Sequence, residues 1–158
     1  MIKIIGFVNL FLFLNFFNES NELKTVRTLF FEATKSKAKT ESMIKYLQNK
    51  NTFNDPVLKG YLGMSHILLA KHGFNFFTRL NNFNKGKEIL EDAISRDKNN
   101  IELRFLRLTV QMNVPGVLNY SSNIDSDKKI IRDNFSKIKE EDLKIKVKQF
   151  YESKKMPI

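Results

Sequence analysis

The chain has 158 residues, which is the size of a single domain. It contains no cysteine, and this excludes disulfides, thiol catalysis and cysteine-ligated metal sites. Lys and Arg total 27 against 17 Asp and Glu, so the formal net charge is +10. Because the lysines are spread along the chain among acidic residues, we interpret this charge as a solvated surface and expect no nucleic-acid partner.

Residues 1–20 have the layout of a secretory signal peptide. Met1-Ile2-Lys3 carries one basic residue, an apolar run extends from Ile4 to Phe17, and Asn18-Glu19-Ser20 is polar. A membrane-spanning helix needs roughly 20 apolar residues, and this run is shorter. We therefore predict a signal peptide and export to the periplasm or out of the cell. An uncleaved membrane anchor and a buried amphipathic helix are the alternatives.

Residues 21–158 form one domain of helices according to their apolar periodicity of three and four. Asp55-Pro56 is the clearest helix start, since Asp caps a helix and Pro suits its first position. Thr40 is a candidate cap for the second helix. The predicted helices run from about Glu22 to Ser36, Thr40 to Asn49, Pro56 to His72, Asn82 to Arg96, Ile101 to Met112, Ser126 to Ile138 and Glu140 to Ser153.

Four segments need separate comment. Gly60 and Gly63 lie inside the third helix, where glycine is costly, and this predicts close approach of a neighbouring helix. The aromatic stretch from Phe74 to Leu80 fits either a helical turn or a packed loop. The helix starting at Ile101 is apolar almost all round, which predicts a central, buried position. The last segment alternates like a strand near Leu143, but its acidic start favours a helix.

The segment FNKGKEILEDAISRDKNN, from Phe83 to Asn100, resembles the second helix and exit turn of a tetratricopeptide repeat. Gly86, Leu90 and Ala93 stand at the small, large and small positions of that pattern, and Lys98 stands where the repeat usually has Pro. The resemblance implies an all-α fold of antiparallel helix hairpins, a right-handed array of about six to seven helices after the signal segment.

Two longer segments, LLAKHGFNFFTRLNNFNKGKEILEDAI and NNIELRFLRLTVQMNVP, are similar to small exported helical proteins of bacterial envelopes with no assigned activity. This similarity brings no catalytic residues to transfer. Helical-repeat proteins mostly present a concave surface to a peptide or a partner protein, and the resemblance implies the same role here.

A polar stripe on the helix starting at Ile101 is the first candidate site. Arg104, Arg107 and Gln111 recur at intervals of three and four and so share one face. Two guanidinium groups one turn apart could bind a carboxylate or phosphate of a ligand or partner. The alternative is internal pairing with carboxylates of the preceding helix, namely Glu88, Glu91, Asp92 or Asp97.

An aromatic cluster is the second candidate site. It could line a groove for an apolar peptide or an acyl chain, or it could simply fill the core. Its members are Phe74, Phe76, Phe77 and Phe83.

His66 and His72 lie on different sides of one helix and cannot jointly bind a metal, so we predict packing roles for both. We predict no metal site, no cofactor and no catalytic residue.

Three functions follow as hypotheses. The first is a non-enzymatic, exported helical-repeat protein of the cell envelope that binds a protein or peptide. The second is a membrane-anchored envelope protein whose N-terminal segment is not cleaved and whose basic surface faces anionic lipid. The third is a hydrolase of unknown substrate, for which a deep pocket beside His66 or Arg104 would be needed.

Overall fold

The computed structural model describes residues 21–50, 52 and 54–158, and within them every regular element is helical. The predicted signal peptide, 1–20, lies outside the described residues. The α-helices are α1 (21–33), α2 (Lys37–Gln48), α3 (Pro56–Lys71), α4 (Phe76–Arg96), α5 (Ile101–Gln111), α6 (Ile124–Asn134) and α7 (Glu141–Ser153). Short 3-10 helices span Gly116–Leu118 and Phe135–Lys137. The all-α prediction is confirmed, and the last segment is a helix.

Capping side chains set the helix starts. Asp55 begins α3 as predicted, since its Oδ1 accepts hydrogen bonds from the backbone N–H groups of Val57 at 2.8 Å and Leu58 at 3.1 Å. Thr40 is not the cap of α2. That role belongs to Ser36, and the buried Thr40 hydroxyl instead donates to the carbonyl of Ala33 at 2.8 Å. Thr40 thereby links α2 to the end of α1.

The aromatic stretch that the sequence left unassigned is the first turn of α4. Asn75 is its cap, and its Oδ1 accepts from the N–H of Thr78 at 2.8 Å. Helix α4 therefore begins at Phe76, six residues before the predicted Asn82. Helix α6 also starts earlier than predicted, at Ile124, and ends at Asn134 in a 3-10 turn.

Consecutive helices pair as antiparallel hairpins, α1 with α2, α3 with α4 and α5 with α6, while α7 packs on α5. Helices α3 and α4 approach most closely. A Cβ at Gly63 would lie 2.7 Å from the carbonyl oxygen of Gly86, and one at Gly86 would lie 2.5 Å from that of Gly63. The predicted close approach is confirmed, since only glycine lets the two backbones come this near.

Helix α5 lies between two clusters of buried side chains, which confirms its predicted central position. Leu103, Leu106 and Val110 face the cluster built with α1 to α4. On its other side, Phe105 and Leu108 face the cluster formed with α6 and α7. A helix that is apolar nearly all round thus joins the two halves of the core.

Candidate functional site

A groove of about 1060 Å³ opens between the first helices of the hairpins and α7. Its walls come from α1, α3, α5 and α7, its end from the start of α4 and the turn at 115–118, and none of the lining residues that the structure describes lies on α2 or α6. Most lining side chains are apolar. They include Phe30, Phe31, Met64, Leu68, Leu106, Val110, Leu143 and Phe150.

The predicted aromatic cluster is divided by the structure. Phe76 and Phe83 line the groove, Phe83 as a buried residue that packs edge-on against Tyr120, and Phe76 as a residue 68% exposed. Phe74 and Phe77 are not among the lining residues, and both are strongly exposed. Phe77 packs against Phe76 with ring centroids 5.9 Å apart. The four phenylalanines therefore do not form a single wall.

The sequence analysis did not predict that other aromatic residues line the groove. Phe30, Phe105 and Phe150 each belong to an apolar helical stripe, and such stripes usually predict core. Phe31 stands outside the stripe of α1, between Thr28 and Thr34, and is 51% exposed. Only the crossing of the helices reveals which apolar positions stay uncovered.

The rim of the groove is positively charged. Lys71 at the end of α3, Arg79 in the first turn of α4 and Lys146 on α7 are exposed groove residues, and none of the three forms an ion pair with a carboxylate of the described chain. The Nζ of Lys146 lies 4.7 Å from the ring centroid of Phe31. Asp142 also lines the groove and pairs with Arg27 at 3.1 Å, but Arg27 also pairs with Glu102, so these three groups carry −1 against +3 on the three cations. The groove therefore favours an anionic occupant.

The predicted polar stripe lies away from the groove and faces α6. Arg107, only 3% exposed, donates to both oxygens of Asp127 at 2.7 Å and to Glu91 at 2.8 Å. Arg104 donates to Asp127 at 3.1 Å and to the backbone carbonyl of Lys98. These contacts correspond to the internal-pairing alternative, with Glu91 among the partners named from sequence and Asp127 not among them.

Gln111, the third member of the polar stripe, is buried. Its Nε2 donates to Asn123 Oδ1 at 3.3 Å, whereas its Oε1 has no hydrogen-bond partner within the described chain. Tyr120 donates to Glu91 at 2.5 Å, and burial followed by this hydrogen bond raises the pKa of the Tyr120 phenol. The stripe is thus one side of a buried polar network that joins α4, α5 and α6.

A second buried network lies beside the groove and ties its walls together. Arg27 of α1 donates to both oxygens of Glu102 at 2.7 Å and also to Asp142 of α7. Tyr61 of α3 donates to Glu102 Oε1 at 2.7 Å. Burial, then the charge of Glu102, raises the pKa of Tyr61 well above its usual range. Because the network links α1, α3, α5 and α7, it holds the walls of the groove together.

His66 lies on α3 but does not line the groove. It is buried, and its Nδ1 has no hydrogen-bond partner among the described residues. Burial, and to a smaller extent the charge of Lys85, lowers its pKa to about 4. His66 is therefore neutral near pH 7 and a weak base there.

Within the described ranges no group of three His, Asp or Glu side chains could hold a metal ion. No helix of the same residues is both long and apolar enough to span a bilayer. Comparisons of the chain with protein-family models, curated proteins and solved structures gave no match. The function has to be inferred from the groove and its charges.

Proposed function

We propose that the protein is a non-enzymatic binding module that holds a peptide, or a segment of a partner protein, in the groove between α1, α3, α5 and α7. The observation that carries this proposal is the exposure of aromatic side chains along a preformed apolar groove of about 1060 Å³. Monomeric soluble proteins rarely leave large apolar patches open unless a partner covers them. Grooves of this kind accept the apolar face of a helix or an extended segment.

The location of this activity is part of the proposal. The layout of residues 1–20 supports export, so the partner would be a protein or peptide of the cell envelope. N-terminal sequencing of the protein isolated from cells tests this step. A first residue near Asn21 supports a cleaved signal peptide, whereas retention of Met1 in a membrane fraction supports the anchored alternative.

Substitution of exposed groove residues tests the binding function with little risk to folding. Phe31→Ser combined with Phe76→Ser removes two aromatic groups that line the groove and are 51% and 68% exposed. Phe74→Ser combined with Ile145→Ser is the matched control, because both residues are exposed and neither lines the groove. We expect partners captured from envelope extracts to be lost with the first pair and kept with the second.

The opposite result contradicts the proposal. If the groove pair retains every partner of the unmodified protein while its circular dichroism spectrum is unchanged, binding does not take place in the groove. Loss of partners in both pairs would equally exclude it, because the control pair leaves the groove lining intact.

A further inference from the structure

We infer that the groove selects an acidic amphipathic helix, that is, a segment with one apolar stripe flanked by Asp and Glu side chains. This inference rests on the proposed binding function and names the chemistry of the partner. It depends on two properties of the groove, the distribution of charge around its rim and its dimensions.

The charged residues of the groove are asymmetric in their pairing. Asp142 is held by Arg27, which is itself bound to Glu102, so one guanidinium faces two carboxylates and these three groups carry a net charge of −1. Lys71, Arg79 and Lys146 line the same groove without a carboxylate partner among the described residues. An occupant therefore meets three cations without a carboxylate partner against one residual negative charge, so the positive charge is in excess.

These cations come from different elements of the groove lining. Lys71 ends α3 and Arg79 lies in the first turn of α4, while Lys146 lies on α7 with its Nζ beside the ring of Phe31. A Cβ at Gly73 would lie 2.5 Å from the Arg79 Cγ, so Arg79 packs against the turn between α3 and α4. A helix lying in the groove would thus meet cations supplied by α3, α4 and α7.

The dimensions favour a helix over a single acyl chain. At about 1060 Å³ the groove slightly exceeds the range of about 300–1,000 Å³ usual for small-molecule sites. Four helices contribute to its walls, and its lining also contains Thr34, Thr109 and Asn113. A groove of this volume with a mostly apolar lining matches the apolar stripe of a helix, in which residues i, i+3, i+4 and i+7 act as anchors.

Two synthetic peptides labelled with fluorescein test the inference by fluorescence anisotropy. Both carry Leu at i, i+3, i+4 and i+7, and their remaining positions are Ala and Glu in one peptide and Ala and Lys in the other. An exposed opposite-charge pair is worth a factor of roughly two in affinity, so three pairs predict a preference of about tenfold for the Glu peptide at low salt. Screening should reduce this preference as salt rises.

A triple charge reversal assigns the preference to the groove. In the variant Lys71→Glu, Arg79→Glu, Lys146→Glu the preference should invert, so that the Lys peptide binds more tightly. The substituted side chains are exposed, and they hold no carboxylate partner in the described structure, so the fold should be retained.

A second triple variant controls for net charge. Lys24→Glu, Lys45→Glu, Lys98→Glu changes the total charge by the same amount at exposed positions outside the groove. It should keep most of the preference for the Glu peptide. Equal loss of preference in the two triple variants would overturn the inference, because the total charge and not the groove would then be responsible.

The remaining outcomes distinguish failure of the acidic-helix inference from failure of the proposed binding function. If both peptides bind equally, and both lose binding with Phe31→Ser and Phe76→Ser, the binding function stands and the acidic partner is wrong. If neither peptide binds the unmodified protein while partners are still captured through Phe31 and Phe76, the acidic helix is wrong and the binding function stands; if no partner depends on Phe31 and Phe76 either, both proposals fail. Binding of phosphatidylglycerol vesicles or dodecanoate in place of either peptide would also overturn the helix as the occupant.

Discussion

The contact between Gly63 and Gly86 gives the sharpest test of the packing. Replacing Gly86 with Ala would place a Cβ 2.5 Å from the carbonyl oxygen of Gly63 and 2.7 Å from the backbone nitrogen of Ile67. Ordinary contact distances begin near 3.4 Å. Because backbone atoms cannot rotate away as a side chain can, α3 and α4 would have to separate by several tenths of an ångström or more.

Two opposing effects set the expected change in the free energy of unfolding. Overpacking of this kind costs about 1–3 kcal/mol, and rigid backbone neighbours place this site at the upper end. Alanine in place of glycine inside a helix returns up to about 1 kcal/mol. We therefore expect Gly86→Ala to lower the free energy of unfolding by about 2 kcal/mol, with a similar loss for Gly63→Ala. The double variant should lose less than the sum, since one separation of the helices accommodates both methyl groups.

Urea unfolding followed by far-ultraviolet circular dichroism measures these changes. Gly60→Ala and Gly116→Ala are the matched controls. At Gly60 a Cβ would meet the end of the Leu103 side chain, which can move, and at Gly116 no atom lies within 4 Å. Both controls should stay within about 1 kcal/mol of the unmodified protein. If Gly86→Ala and Gly63→Ala are as stable as these controls, α3 and α4 do not meet backbone to backbone.

Three further predictions concern buried charge. Asp127→Ala leaves the Arg107 guanidinium buried without its main partner and should cost about 3–5 kcal/mol in urea unfolding; a loss below about 1 kcal/mol would contradict the buried pairing. Arg27→Met should lower the free energy of unfolding by a similar amount, because it leaves Glu102 buried without its partner. Replacing both Arg27 and Glu102 with Met should lower it by less than Arg27→Met alone. A larger decrease in the double variant would refute this prediction. The pKa of His66 is about 4 in the folded protein and 6.5 in an unfolded chain. As the pH falls, the unfolded state therefore binds a proton before the folded state does. The free energy of unfolding should thus decrease by up to about 3 kcal/mol between pH 6.5 and pH 4. This part of the pH dependence should be absent from His66→Leu, and its persistence there would assign it to other groups.

Local sequence predicted most of the helices and failed where a tertiary contact decides a polar residue's role. Asp55 caps α3 through hydrogen bonds to the first turn of that helix, so the local sequence was enough to predict the helix start. Thr40 looked like a cap but bonds across to Ala33 of the preceding helix. Asn75 does cap α4, yet the exposed phenylalanines after it obscure the apolar periodicity on which a helix prediction depends.

In the candidate sites, too, local sequence predicted some features and tertiary contacts decided the others. The spacing of Arg104 and Arg107 correctly put them on one face, and Arg107 does pair with Glu91 of the preceding helix, but their shared partner Asp127 lies on the helix that follows. The bond between Arg27 and Glu102 joins residues 75 positions apart, and no local pattern predicts such a pair. The signal peptide over residues 1–20 stays a prediction.

The amino-acid sequence by itself determined that this is a helical protein with a buried central helix and a close glycine contact, because helix formation and apolar periodicity depend on residues only a few positions apart. The tertiary structure alone decided which apolar faces are left open as a groove and which charges are buried or free at its rim. Those properties depend on how α1, α3, α5 and α7 lie against one another, and the separation of helices is set by contacts between residues distant in the chain.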